Sequence, residues 1–142
     1  MNRAEGSSLG SFHREICSRF SEIDSLCKEV MSFLEQKHLQ ACFNLELAVR
    51  EAVNNAILHG NRGDEAKKVK LDFSIGRKWI RIAISDEGRG FDWRRARRLP
   101  LPDHTAVNGR GLHIASLCAA KVTHNRLGNR VTIWMIRAPK ES

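Results

Sequence analysis

The chain has 142 residues, enough for one domain with a buried core, and 42% hydrophobic against 28% charged residues describes a soluble globular protein. No apolar run approaches the ~18 residues of a membrane span, and the polar start MNRAEGSSLGS lacks a signal-peptide core, so a cytoplasmic location is expected. The formal net charge of +8 admits nucleic acid, an acidic protein or a nucleotide as partner.

Residues 1–11, rich in Ser and Gly, read as a flexible tail. Phe12, Ile16 and Phe20 space out a short edge strand within residues 12–20. Ser21-x-x-Asp24 resembles a capping box with Asp in place of Glu or Gln. The helix that follows should run to about Lys37, with Ile23, Leu26, Val30, Phe33 and Leu34 on its apolar side. A second amphipathic helix spans 45–61, where Leu45, Val49, Ala52, Val53, Ala56 and Ile57 form a stripe at three- and four-residue spacing. Gly60 reads as its C-terminal stop. After a polar loop at 61–66, residues 67–75 and 79–85 alternate apolar and polar, as half-buried strands joined by a turn at 76–78 do.

Beyond the second strand, Asp86-Glu87-Gly88-Arg89-Gly90 leads into a basic, proline-containing stretch at 91–108. It reads as a short helix near 92–98 and then a mobile loop. Gly109-Arg110-Gly111 opens a further apolar helix, and 121–126 and 130–137 read as strands joined at Leu127-Gly128-Asn129. The order of elements predicts an α+β fold, a two-layer sandwich in which helices cover one face of a mixed, mainly antiparallel sheet. No internal repeat or linker divides it.

The four cysteines, Cys17, Cys27, Cys42 and Cys118, form no C-x-x-C pair, and no Cys–His cluster has zinc spacing, so reduced and mostly buried thiols are expected. The densest charge cluster is Arg94, Arg95, Arg97 and Arg98 beside Trp93. It suits a solvated face or a surface for an acidic partner equally well, and no nucleic-acid-binding motif accompanies it.

Three places could carry chemistry. On the 45–61 helix Glu51 and Asn55 stand one turn apart, Asn54 flanks them, and His59 closes the last turn. They are either solvated surface residues or a strip that presents a general base and a metal ligand together. Asp86 leaves a core strand just before glycines: it either belongs to an ordinary turn or accepts a hydrogen bond from an exocyclic amine such as that of adenine. Gly88 and Gly90 would let the backbone turn and approach a flat ligand. Gly109 and Gly111 form either a simple helix entry or a phosphate site on the first free amides of a helix. The P-loop, the dinucleotide fingerprint and the nucleophile-elbow motif are all absent.

Taken in order, E-x-x-x-N-A-x-x-H-G on a helix, a hairpin ending in D-E-G-x-G, a lid, and G-x-G-L opening a helix resemble the GHKL (histidine-kinase-like) ATPase superfamily with its Bergerat-type ATP-binding fold. Within it, Glu51-Ala52-Val53-Asn54-Asn55-Ala56 is similar to the E-A-V-x-N-A of bacterial anti-sigma-factor serine/threonine kinases. The resemblance runs over roughly 12–137 and implies a single histidine-kinase-like ATPase domain at 12–138, with a C-terminal tail at 139–142. It implies an ATP-dependent protein serine/threonine kinase that phosphorylates a STAS-type anti-anti-sigma partner and sequesters a sigma factor. A homodimer is implied as well, with no membrane and no direct nucleic-acid contact.

By the same resemblance Glu51 is the catalytic base and Asn55 the Mg²⁺ ligand. Asp86 reads adenine, with Gly88 and Gly90 allowing approach; Gly109, Gly111 and the Leu112 amide hold phosphates; residues 91–108 form the lid. His59, Thr105 and Arg110 are further candidates for contact with ATP. With no dimerisation helices or phosphoaccepting histidine of a sensor kinase, and no room for the second domain of gyrase-like enzymes, in these 142 residues, a small regulatory kinase is the expected subfamily. It departs from the anti-sigma kinases in one respect: Val107-Asn108 precede Gly109 where those kinases often carry an arginine. A non-catalytic binding module is the alternative this departure supports, and a basic nucleic-acid-binding domain is a more distant one.

Overall fold

The computed structural model describes residues 10–37, 39, 43–90 and 121–136. Strand β1 (Gly10–Cys17) opens the described chain, so Gly10 and Ser11 belong to a strand rather than to the expected tail. A 3-10 turn at Phe20–Glu22 leads into helix α1 (Ile23–Gln36). The Ser21–Asp24 capping box is not formed: the helix N-cap is Glu22, with no side-chain cap hydrogen bond. Residues 20–22 form a 3-10 turn instead, in which the Glu22 amide donates to Arg19 O at 3.0 Å, so the α-helix starts one residue later than the box requires.

Helix α2 (Phe43–Asn55) carries the stripe read from the sequence, and Leu45, Val49, Ala52, Val53, Ala56 and Ile57 are all buried. It does not continue to residue 61 as an α-helix. A π-turn, Ala56–Gly60, follows it, closed by the Asn61 amide donating to Ala56 O five residues back at 2.8 Å. Such widened turns recur at functional sites.

Strands β2 (Lys68–Ile75) and β3 (Trp79–Ser85) form the expected hairpin, and β4 (Lys121–His124) and β5 (Arg130–Ile136) form a second one. The sheet order is β1-β2-β3-β5-β4, and every pairing among these strands is antiparallel. The period-2 pattern decides which face is buried. Val69, Leu71, Phe73 and Ile75 of β2, Ile80, Ile82 and Ile84 of β3, and Ile133 and Met135 of β5 meet Leu26, Val30 and Leu34 of α1 and the α2 stripe in one core. Helices thus cover one face of the sheet, the expected α+β two-layer arrangement.

The other face is not simply wet. Trp79 and Trp134 meet edge to face at 6.3 Å, and the Arg81 guanidinium and Lys121 ammonium lie over the Trp134 ring. Ala83, on that face of the central strand, is fully buried. Among the described residues, no helix is long and apolar enough to cross a membrane. Cys27 is buried and Cys17 half-buried, both as free thiols. Cys42 and Cys118 lie outside the described residues, as do Trp93, the Arg94–Arg98 cluster, the short helix near 92–98, the lid and the helix expected after Gly111.

A candidate nucleotide-binding cleft

The far end of α2, the end of β3, the start of β5 and the loops beside them surround one cleft. It encloses about 460 Å³ of empty space, part of it open to solvent. Ala52, Asn55, Ala56, His59 and Gly60 line it from the helix side, and Ile84, Asp86 and Gly90 from the exit of β3. His124, Gly128, Asn129, Arg130 and Val131 close it from the β4–β5 hairpin. Apolar walls with a few polar groups suit a flat organic ligand.

Asn55 ends the regular part of α2, and its Nδ2 is buried without a hydrogen-bond partner among the described residues. A buried amide left unpaired costs about 1–3 kcal/mol unless something pairs with it. The two ends of a carboxamide exchange by a half-turn, so the same position can present its oxygen.

Asp86 is held on both sides. Its amide donates to Asn129 O at 2.9 Å, and its Oδ1 accepts the Gly88 amide at 2.7 Å. Asn129 Nδ2 then reaches Gly88 O at 3.2 Å. The glycines act here differently from what the sequence suggests. Gly60 does not adopt the left-handed conformation of a helix stop; Arg62 and Gly63 do. What Gly60 provides is closeness, since a Cβ there would overlap the Asp86 carboxylate. A Cβ on Gly88 would overlap the carbonyl of Gly60. Gly90, at φ +90°, would run into Leu127 O. At both 88 and 90 the close approach is backbone against backbone, and it builds the cleft wall.

The structure therefore brings together Asn55, His59, Asp86 and Gly90 of the residues singled out from the sequence. Gly88 stands behind Asp86 and buttresses it. Glu51 lies one turn before Asn55, half-buried, and is not among the residues lining the cleft. Thr105, Gly109, Arg110, Gly111 and Leu112 lie outside the described residues. Sequence reading passed over Asn61, His124 and Asn129. In the sequence Asn61 reads as the first residue of a polar loop and Asn129 as part of a turn. Asn125-x-x-Gly128-Asn129 was a usable signal, because Asn125 Oδ1 collects the amides of Gly128, Asn129 and Arg130 and shapes the rim opposite Asp86.

The profile of the histidine kinase-like ATPase domain family matches residues 17–137. The chain belongs to that family. An anti-sigma F factor of Clostridium perfringens is 41% identical over 58 residues, 41% of each chain. The serine-protein kinase RsbW of Oceanobacillus iheyensis is 33% identical over 61 residues, 43% of this chain and 39% of that protein. The alignments thus span about two fifths of these curated relatives. The crystal structure of a Mycobacterium tuberculosis protein with RsbU and RsbW domains superposes at a TM-score of 0.56 and 17% identity. That match covers 92% of this chain and 33% of the other, and it supports the histidine kinase-like fold.

An ATPase-domain site implies a nucleotide and a divalent ion, and the residues present fit both. Among the described residues no group of three or more His, Cys, Asp or Glu could hold a metal on its own. Mg²⁺ suits this, since it commonly takes one or two protein oxygens and completes its shell with phosphate and water. In the orientation described it is Asn55 Nδ2 that has no partner, so an oxygen for the ion from Asn55 requires the half-turn of its carboxamide.

Proposed function

We propose that this chain binds ATP with Mg²⁺ in the cleft and acts as a serine/threonine protein kinase and anti-sigma factor. Its phosphoacceptor would be a STAS-type anti-anti-sigma protein, and its regulatory target a sigma factor. One observation carries the reading: Asn55, whose buried Nδ2 has no partner among the described residues, and the braced Asp86 carboxylate line the same cleft. The names of the relatives, an anti-sigma F factor and serine-protein kinases, support the regulatory role.

Each residue contributes chemistry of its own. Asp86 accepts a hydrogen bond from the exocyclic amine of adenine, while Ile84 and Val131 offer apolar walls to the ring. Asn55, with its carboxamide turned to present the oxygen, would help hold the ion. Mg²⁺, when bound, neutralises charge on the phosphates. Glu51 accepts the proton of the acceptor hydroxyl. Gly109, Gly111 and the Leu112 amide hold phosphates, with His59, Thr105 and Arg110 completing the contacts. The domain is taken to span from the start of β1 at Gly10 to residue 138, and the active unit to be a homodimer.

A second reading, a non-catalytic module that grips a regulator, is favoured by Glu51 standing off the cleft lining and by Val107-Asn108 before Gly109. Labelled phosphate separates the two. The first reading expects transfer from ATP to a STAS-type partner, its loss in Glu51→Ala, and ATP binding unchanged in that variant. Absence of transfer by a wild type that binds ATP leaves the second reading standing. Loss of ATP binding in Glu51→Ala overturns the base assignment.

A further inference from the structure

Asn61 is one of two buried polar residues among those described, at 1% exposure, and its side chain is fully engaged. Nδ2 donates to Ser18 Oγ at 2.8 Å and to Lys68 O at 3.0 Å, and Oδ1 accepts the Glu87 amide at 2.8 Å. Two oxygens on one end and an N–H on the other fix the orientation of the carboxamide. Ser18 Oγ in turn donates to Lys67 O at 2.8 Å. The Glu87 side chain returns the tie, its Oε2 accepting the Lys68 amide at 2.7 Å. Asn61 therefore joins the β1–α1 corner, the start of β2 and the loop after β3 at one buried point. Its neighbour Gly60 lies so near the Asp86 carboxylate that a Cβ would overlap it, and the Asn61 acceptor holds the residue that follows Asp86.

We infer that Asn61 is the positioning residue for base recognition. It sets the direction of the Asp86 carboxylate by pinning the Glu87 amide, so that the end of α2 and the adenine-reading loop move as one body. Asn129 holds the same loop from the cleft side through Asp86 N and Gly88 O. With Asn61 removed, the loop loses its buried tie to the end of α2 and keeps those to Asn129 and to the Lys68 amide, so the carboxylate is aimed less firmly while its charge remains. Discrimination between bases then falls further than nucleotide affinity itself. The inference rests on the ATP-binding reading and adds to it the residue that gives Asp86 its specificity.

The test compares ATP with purine riboside triphosphate, which lacks the exocyclic amine, by calorimetry on the full chain with Mg²⁺. A site built around that amine should favour ATP in the wild type by about 10-fold or more. Asn61→Ala should bring the ratio to within about threefold, because the aimed acceptor is lost while apolar and phosphate contacts persist. Ser18→Ala is the control. It removes a partner from the same buried network on the side away from Asp86, so it should lower the melting temperature and leave the ratio at the wild-type value.

If Asn61→Ala does not fold, hydrogen exchange on the wild type replaces it. The Glu87 amide should be among the slowly exchanging amides outside the sheet ladders, and should slow further with ATP but not with the amine-free analogue. A folded Asn61→Ala that keeps the full ratio, or a Glu87 amide that exchanges as fast as the exposed loop at 62–66, overturns the positioning role and leaves ATP binding intact. A wild type that binds ATP without preference overturns base reading by Asp86. A well-folded wild type that binds neither nucleotide overturns the proposed function with it.

Discussion

Gly60 is where a single hydrogen decides the geometry. A methyl group there would occupy the space of the Asp86 carboxylate. Gly60→Ala should therefore cost about 1–3 kcal/mol of stability, as overpacking does, and weaken ATP binding by turning the carboxylate aside. Urea unfolding and calorimetry on the same preparation check both. Gly90→Ala tests the opposite wall. With φ at +90° and the Leu127 carbonyl in the way, it too should be destabilised, even though residue 90 carries no ligand-binding side chain. Unchanged stability in either variant would contradict the close backbone contacts. At this scale the sequence told less than it seemed to. The residue types at 60, 88 and 90 pointed to a site, but their purpose did not, because what a glycine makes room for is a partner distant in the chain. Asn61 escaped notice for the same reason: its partners come from residues 18, 68 and 87. Periodicity reports which face a residue is on and not what it meets there.

The elements were easier to read. The α2 stripe and the alternation in β2 and β3 are properties of neighbouring residues, and burial follows them closely. The switch from α-helix to π-turn at Ala56 was not legible, since nothing in AILHG breaks helical spacing; it shows in the structure where the Asn61 amide reaches back five residues to Ala56 O. Ile57, fully buried within that turn, gives a direct check. Ile57→Ala should cost about 2–5 kcal/mol, as other buried large-to-small changes do, and should weaken nucleotide binding as well, because Asn55 and His59 flank it.

The packing of α1 on α2 has its own pH signature. Burial pushes the Cys27 thiol up from an ordinary 9.0 to about 11; nearby Arg50 pulls the other way, and Glu46 and Asp24 add to the rise. Arg50 itself bridges the helices, reaching Asp24 at 2.7 Å and Glu46 at 3.2 Å. Below pH 9 the Cys27 thiol is protonated in both the folded and the unfolded chain. Between pH 9 and about 11 the unfolded chain releases the proton and the folded chain keeps it, so this group makes stability fall as pH rises. The slope approaches about 1.4 kcal/mol per pH unit. Denaturant melts across that window should show the fall in the wild type and a flatter profile in Cys27→Ala. A thiol reagent at pH 8 should reach half-buried Cys17 well before Cys27.

At the scale of the molecule, the sheet order β1-β2-β3-β5-β4 places the end of β3 beside the start of β5, and the end of α2 comes down beside them. The cleft is thus built from parts far apart in sequence, fastened at Asn61 and Asn129. A ligand that bridges those parts should stabilise all of them. ATP with Mg²⁺ at roughly a hundred times its Kd contributes about 2.7 kcal/mol, which should raise the melting temperature by roughly 5–10 °C. ATP without Mg²⁺ should raise it less if Asn55 supplies an oxygen to the ion.

The most direct measurement is calorimetry of ATP, with and without Mg²⁺, on the wild type and on Asp86→Asn. The account predicts Mg²⁺-dependent binding to the wild type and its loss in Asp86→Asn, while the circular dichroism of the two proteins stays the same. A well-folded wild type that binds no ATP, or an Asp86→Asn protein that binds it as tightly as the wild type, would contradict the account.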